Sequence, residues 1–199
     1  MTYAIIGSGN IGSALARAFA RQQVPVGIAN TRGPASLAPL VNELGPAIVA
    51  QSLAEALYAD ILFLAVPFSA HSEVAKQRAS WADKILVDTT NALHVRPEDL
   101  KGQLSSDLVA EALSGARLVK AFNHLPAAQL SPGPTATGDR QAIFLASNDP
   151  DASTTVASLV TQLGFAPIEL GRLDRGGVPL HVVDGRPGGL LFQNLIKQG

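Results

Sequence analysis

Cysteine is absent from the 199-residue sequence. Disulfides, thiolate nucleophiles, cysteine-ligated zinc and iron–sulfur clusters are therefore excluded. The sequence also lacks a run of basic residues, and its 15 Lys and Arg residues nearly balance its 16 Asp and Glu residues, which gives a net charge of −1. Because proteins track a phosphate backbone with a basic patch or stripe, this balance argues against a nucleic-acid partner.

Hydrophobic runs long enough to cross a bilayer are missing too. The most apolar run covers residues 61–68, whereas a spanning helix needs about 20 apolar residues. Met1, Thr2 and Tyr3 lead straight into an apolar segment, without the basic region, long apolar stretch and cleavage site of a signal peptide. We therefore expect a cytoplasmic protein that does not bind membranes.

The sequence does contain a regular alternation of short β-rich segments and helical periods, which is typical of a parallel α/β sheet. The predicted strands cover residues 2–6, 24–29, 48–49, 61–66, 85–88, 117–122, 142–146 and 166–170. The predicted helices cover residues 10–22, 37–44, a short segment beginning at Ser52, 70–80, 107–113 and 149–163.

These segments predict one Rossmann-type α/β domain with a doubly wound, mainly parallel sheet of about eight strands. No helical period is visible in residues 123–140, so the strand that follows is expected to run antiparallel to its predecessor. We expect residues 1–170 to form the dinucleotide-binding domain. Residues 171–199 should form a C-terminal loop and a short helix around 190–196 that pack on the same domain.

A glycine-rich motif follows the first predicted strand. Gly7-Ser8-Gly9-Asn10-Ile11-Gly12 fits G-x-G-x-x-G and opens the first predicted helix, the context in which this motif binds a dinucleotide. Gly7 permits the tight turn, Gly9 lets the backbone approach a pyrophosphate, and Gly12 lets the helix pack against the strand. The alternative is an ordinary glycine-rich turn without a ligand. We predict that all six residues bind the pyrophosphate at the helix N-terminus.

The residues after the second predicted strand indicate which nucleotide is bound. Domains that bind NAD carry an Asp or Glu there for the ribose hydroxyls, but this sequence reads Asn30-Thr31-Arg32. A carboxylate would repel the 2′-phosphate of NADP, whereas Arg32 offers it a planar pair of donors, and Asn30 and Thr31 can add neutral hydrogen bonds. The alternative for Arg32 is a solvated surface charge. The missing acid favours NADP(H).

Polar or unusual residues follow three other predicted strands, where ligands of α/β sheets bind. Ala65-Val66-Pro67 provides a surface for the nicotinamide, and Thr89 and Asn91 offer neutral donors and acceptors. Asn123 and His124 are the candidate catalytic residues, with His124 as a proton donor near neutral pH. The alternative for His124 is a loop histidine bonded to the backbone. The remaining histidines lack the spacing of metal ligands, so no metal site is predicted: His71, His94 and His181.

The sequence shows no lysine–aspartate or tyrosine–lysine arrangement of the kind that dehydrogenases use to handle the proton of an alcohol. Tyr3 and Tyr58 lie in the first strand and near a helix end, away from the polar strand ends. Hydride exchange between nicotinamide and a flavin-like ring needs stacking and alignment more than a strong acid or base. This pattern therefore favours a flat redox cofactor as the reaction partner.

Five segments carry a family resemblance: IIGSGNIGSALARAFA, IANTRGP, LAVPF, VDTTNAL and VKAFN. Together they resemble the small NADP oxidoreductases related to coenzyme F420-dependent NADP reductase, and VKAFN is also similar to the cytosolic NADPH domain of the six-transmembrane metalloreductases. The resemblance implies phosphates on Gly7 to Gly12, the 2′-phosphate at Thr31 and Arg32, and nicotinamide near Ala65 to Pro67. It also implies a deazaflavin stacked beside the nicotinamide, and a homodimer. Residues 123–126 and the tail from Gly171 depart from the deazaflavin enzymes.

Three functions remain open at this point. The first is an oxidoreductase that moves hydride between NADP(H) and a deazaflavin, a flavin, or a small carbonyl or imine. The second is a non-catalytic NADP(H) sensor, and the third is a module that delivers electrons to a partner's flavin or metal.

Overall fold

The computed structural model describes residues 1–93, 95–130, 139–183, 186–187 and 196–197. Eight strands in these ranges correspond to the predicted ones: β1 Tyr3–Ile6, β2 Val26–Ala29, β3 Ile48–Ala50, β4 Ile61–Leu64, β5 Ile85–Asp88, β6 Arg117–Ala121, β7 Arg140–Ser147 and β8 Ala166–Glu169. Three two-residue strands follow in the tail: β9 Val182–Val183, β10 Arg186–Pro187 and β11 Ile196–Lys197.

The eight longer strands form one sheet in the order β3-β2-β1-β4-β5-β6-β7-β8. All neighbours from β3 to β6 are parallel, β7 runs antiparallel to β6, and β8 runs parallel to β7. The predicted Rossmann-type topology and the predicted reversal at β7 are therefore confirmed. The tail adds β11 antiparallel to β7, while β9 and β10 form a separate hairpin.

Seven α-helices accompany these strands within the described ranges: α1 Asn10–Arg21, α2 Ala38–Leu44, α3 Leu53–Ala56, α4 His71–Ala75, α5 Ser105–Ala112, α6 Ala127–Leu130 and α7 Pro150–Gln162. Short 3-10 turns occur at Pro34–Leu37, Phe68–Ala70, Pro97–Leu100 and Val178–Leu180. No helix among the described residues is long and apolar enough to cross a membrane.

Apolar side chains fill both faces of the sheet. Residues of α1 and α7, such as Phe19 and Val156, pack on one face. Residues of α3, α4 and α5, such as Val74 and Val109, pack on the other face. Because both faces are covered, the central strands are apolar throughout, as in β4, where all four residues are buried. This arrangement is the doubly wound fold that the alternation of elements predicts.

Two helices differ from the prediction. Helix α4 ends at Ala75 instead of near residue 80, and the Trp81 indole donates a hydrogen bond of 3.2 Å to the Ala75 carbonyl oxygen. That carbonyl is one of those a helix leaves unpaired at its C-terminus, so the indole stabilises the early end. Helix α6 lies in the segment predicted to lack structure, and its four residues are too few to show a period. The helix predicted around residues 190–196 falls almost entirely outside the described residues.

Candidate functional site

The glycine turn joins β1 to α1 with almost no spare room. Gly7 has a φ of +112°, which residues with a side chain rarely adopt. A Cβ added to Gly7 would lie 2.2 Å from the Ala65 carbonyl oxygen, and one added to Gly12 would lie 1.9 Å from the Gly7 carbonyl oxygen. A Cβ on Gly9, which caps α1, would meet no atom within 4 Å. This pattern fits a dinucleotide, because two glycines close the turn and the third leaves open space for a ligand.

A cleft of about 530 Å³ begins at this turn. It brings together three segments that the sequence predicts to bind the cofactor, namely the glycine turn, the Asn30–Arg32 loop and the Ala65–Pro67 segment. The lining residues that sequence reasoning missed come from β1, α3 and the α4 region: Ile6, Leu53, Ala70, Glu73, Val74 and Gln77. The sequence predicts a helix over residues 70–80, but nothing in it indicates that this helix borders the cleft.

The loop after β2 presents the charge that the sequence predicts. Thr31 and Arg32 are both exposed, at the edge of the same cleft. Asn30 lies deeper, and its side-chain amide bonds to Ser8 and Ser36. A guanidinium is therefore placed next to the glycine turn, and no carboxylate follows β2 in the 30–32 loop.

The predicted residues beyond β5 and β6 form a second polar group. Thr89 is buried and donates a hydrogen bond of 2.9 Å to the Leu64 carbonyl oxygen, so its hydroxyl joins β5 to β4. Asn91 donates to the Asn123 carbonyl oxygen at 2.7 Å, and Asn123 returns a bond of 2.9 Å to the Asn91 side chain. These residues are absent from the lining of the 530 Å³ cleft. They join neighbouring strand ends at the same edge of the sheet.

The candidate proton donor His124 is buried, with 4% of its surface exposed. Its Nε2 donates to the Ala142 carbonyl oxygen at 3.3 Å, and its ring packs edge-on against Phe144. Burial lowers the pKa of His124 to about 4. Because its ring is buried against β7 and is neutral near pH 7, His124 has no proton to donate there. The geometry therefore gives no support to its predicted role as a proton donor. It matches the alternative of a histidine bonded to the backbone.

A lysine–aspartate pair does exist, contrary to the expectation from the sequence. Lys120 on β6 donates to the Asp88 carboxylate at the end of β5 at 2.9 Å, and both side chains are fully buried. Lys120 also donates to the Thr90 carbonyl oxygen at 2.5 Å, while the other Asp88 oxygen accepts from the Thr90 amide and hydroxyl. Ser106 adds a hydroxyl at 3.3 Å from Asp88. The pair was missed because the two residues become neighbours only through the register of β5 and β6.

The tail covers this second polar group. Leu173 and Leu180 are buried in the core on the α3–α5 face of the sheet. The Leu180 carbonyl oxygen accepts a hydrogen bond of 2.6 Å from Asn123, and His181 shares a hydrogen bond of 3.3 Å with Ser105. Burial, followed by the charge of Lys120, lowers the pKa of His181 to about 4. The described part of the tail therefore closes the edge of the site next to β6.

The two buried histidines predict a pH-dependent stability. Their folded-state pKa values of about 4 lie below the ordinary value of 6.5, so the unfolded chain binds more protons in acid. The contribution of these two histidines to the free energy of unfolding should be complete well above pH 6.5 and fall as the pH drops from 6.5 to 4, by up to about 1.4 kcal/mol per pH unit and per histidine. Urea unfolding at several pH values measures this slope. A His124→Gln variant should have a visibly shallower slope; an equal slope would contradict the assignment.

Comparison with known proteins shows which family and which structures the chain resembles. The model of the family described as NADP oxidoreductase, coenzyme F420-dependent, matches residues 2–92. A hypothetical protein from Sinorhizobium meliloti is 42% identical, and its crystal structure superposes with a TM-score of 0.89 over 100% of this chain and 96% of that chain. A protein from Arthrobacter sp. FB24, provisionally assigned as an F420-dependent NADP reductase, is 28% identical, with a TM-score of 0.69 over 89% of this chain and 88% of that chain.

Metalloreductase STEAP2 is similar to part of the chain. The mouse protein is 30% identical over 116 residues, which make up 57% of this chain and 22% of the metalloreductase. The human protein gives the same values. The chain thus spans about a fifth of the length of these curated relatives.

The fold is of the Rossmann type, and the matched family model and the Arthrobacter structure make the chain similar to NADP-dependent oxidoreductases. The resemblance to the small NADP oxidoreductases related to coenzyme F420-dependent NADP reductase is carried by residues 2–92, a little under half of the chain, and by the similarity to the Arthrobacter protein.

Proposed function

We propose that the protein transfers hydride between NADP(H) and a flat redox cofactor, either a deazaflavin such as coenzyme F420 or a flavin. The 530 Å³ cleft carries this proposal, because it places the glycine turn, the Arg32 loop and the Ala65–Pro67 segment around one space. NADPH supplies the hydride when it is bound there. The chain itself binds the nucleotide, selects it by its phosphate and fixes the nicotinamide end.

Each part of the cleft has a distinct role in this proposal. The backbone of Gly7–Gly12 would hold the pyrophosphate with the unpaired N–H groups of α1. The guanidinium of Arg32 and the hydroxyl of Thr31 would bind the 2′-phosphate. The Ala65–Pro67 segment would support the ribose and the nicotinamide, since it follows β4 at the point where the strand order reverses.

The second polar group favours a flat acceptor. Asn91 and Asn123 are neutral amides bonded to each other, and Lys120 is bonded to Asp88 and to the Thr90 carbonyl oxygen. None of these groups is placed to exchange a proton with an alcohol in this arrangement. Hydride transfer between two stacked rings requires alignment instead, which rigid strand ends can provide.

We also propose that residues 1–170 form the NADP-binding domain and that residues 171–199 pack on it as a tail. The burial of Leu173 and Leu180 among core residues supports this division. The homodimer and the cytoplasmic location stay predictions from the sequence. Light scattering of the purified protein would determine whether it is a dimer.

A second candidate is a module that passes electrons from NADPH to a flavin or a metal held by a partner. The 116-residue similarity to a metalloreductase favours it, because that relative's name describes metal reduction. The two candidates share the nucleotide site and differ in the acceptor.

Oxidation of NADPH, followed by its near-ultraviolet absorbance, separates the candidates. Coenzyme F420, flavin mononucleotide and a ferric chelate would each be offered as acceptor in parallel assays. We expect turnover with at least one of the two flat cofactors. Reduction of the ferric chelate without added flavin, together with no turnover of either flat cofactor, would favour electron delivery. Tight NADPH binding without turnover of any acceptor would contradict both candidates. The protein would then be a non-catalytic NADP(H) sensor.

Arg32→Ala tests the choice of nucleotide. Losing a charge-assisted contact to the 2′-phosphate should weaken NADPH binding by about 1.5–3 kcal/mol, whereas NADH has no phosphate there and should bind as before. Titration calorimetry with both nucleotides measures the difference. Arg175→Ala is the matched control, because Arg175 is exposed and lies outside the cleft. Equal losses for NADPH and NADH would show that Arg32 does not bind the 2′-phosphate.

A further inference from the structure

The Asn30 side chain is largely occupied by other protein groups. Its Nδ2 donates to the hydroxyl oxygens of Ser8 at 2.8 Å and Ser36 at 3.1 Å. Its Oδ1 accepts from the Arg32 backbone amide at 2.9 Å. An asparagine amide has two donor hydrogens, and both are used here. Asn30 therefore has no donor left for a ribose hydroxyl or a phosphate, although the sequence suggested it as a direct ligand.

The three partners of Asn30 belong to two different phosphate-binding segments. Ser8 is in the glycine turn, where its carbonyl oxygen also accepts from the Ser13 hydroxyl at 3.1 Å. Arg32 and Ser36 belong to the loop after β2, and the Ser36 hydroxyl lies 2.8 Å from the Gly33 carbonyl oxygen. Asn30 thus ties the segment proposed for the pyrophosphate to the loop proposed for the 2′-phosphate.

We infer that Asn30 is a positioning residue that sets NADP selectivity by holding the Arg32 loop against the glycine turn, without binding the cofactor; this inference rests on the proposed function. A loop fixed in its binding conformation loses less conformational entropy when a ligand arrives. Because Asn30 holds the Arg32 backbone amide, the position from which the Arg32 side chain extends is fixed before the nucleotide binds. The 2′-phosphate gains most from this arrangement, because it is the group that Arg32 would contact.

Asn30→Ala gives the first test, by titration calorimetry with NADPH and NADH. Removing the hydrogen bonds to both segments should lower the affinity for NADPH relative to NADH by about tenfold. In an Arg32→Ala background the same change should leave that ratio within about twofold, because Asn30 acts through Arg32. Full additivity of the two losses, or an equal loss of NADPH and NADH in Asn30→Ala, would overturn the inference.

Hydrogen exchange of the ligand-free protein gives a second readout that needs no nucleotide. The Arg32 amide is protected by Asn30 Oδ1, so it should exchange faster in Asn30→Ala by about tenfold. Asn42→Ala is the matched control, since Asn42 is exposed on α2 and outside the cleft. Unchanged exchange at Arg32 in Asn30→Ala would overturn the inference. If the wild-type protein bound neither nucleotide, the proposed function would be refuted. Hydrogen exchange would still test whether Asn30 holds the Arg32 loop.

Discussion

Lys120→Met is expected to lower the free energy of unfolding by about 3–5 kcal/mol, because it leaves the Asp88 carboxylate buried without its cation. Both side chains are fully buried, and the Coulombic attraction between them offsets the loss of their hydration. Methionine fills a similar volume, so the loss reports the missing charge more than a cavity. Denaturant unfolding at pH 7 measures the change.

Two controls make this prediction specific. Lys76→Met removes an exposed ion pair with Glu73, so it should change the free energy of unfolding by less than about 1 kcal/mol. A double variant, Lys120→Met with Asp88→Leu, removes both charges and should recover part of the stability. If Lys120→Met were as stable as Lys76→Met, the buried pair would not stabilise the ends of β5 and β6.

Gly12→Ala should be nearly as harmful, because its Cβ would lie 1.9 Å from the Gly7 carbonyl oxygen. That oxygen belongs to the backbone of the turn, which cannot move aside without shifting β1 or α1. We expect a loss of about 3 kcal/mol in the free energy of unfolding and no measurable heat of binding with either nucleotide. Thermal unfolding and calorimetry check the two effects separately.

Gly9→Ala separates binding from folding at the same turn. Gly9 has a φ of −74°, which alanine adopts readily, and its Cβ would meet no protein atom within 4 Å. Stability should therefore stay within about 0.5 kcal/mol of the wild type. The methyl group would occupy the space in which the backbone approaches the pyrophosphate, so NADPH and NADH should both bind at least about tenfold more weakly. Unaltered affinity would place the pyrophosphate elsewhere.

Three segments that line the cleft could be predicted from the sequence because their signals are local. The glycine turn lies between a strand and a helix that are adjacent in the chain, and Arg32 follows the next strand directly. Each of these motifs consists of residues that are close together in the sequence, so it can be recognised without knowledge of the fold. The Rossmann-type fold followed for the same reason, since the alternation of strands and helices predicts a doubly wound, mainly parallel sheet.

The rest of the site depends on contacts between distant segments. Asp88 and Lys120 are paired by the register of two strands, which no local pattern reveals. His124 follows a strand like a functional residue, yet the packing of β7 buries its ring against Phe144. Glu73 lines the cleft together with the Ala65–Pro67 segment, and an exposed polar residue on a helix carries no sign of that neighbour.

The reversed direction of β7 divides the molecule into parts that can diverge independently. Because β7 and β8 end at the opposite edge of the sheet, residues 171–180 must travel back along one face before Leu180 reaches Asn123. Among the residues that the structure describes, those that line the 530 Å³ cleft all lie between positions 6 and 77. Related proteins can therefore replace or lengthen residues 171–180, and so adapt to another hydride acceptor, without a change in the residues that line the cleft.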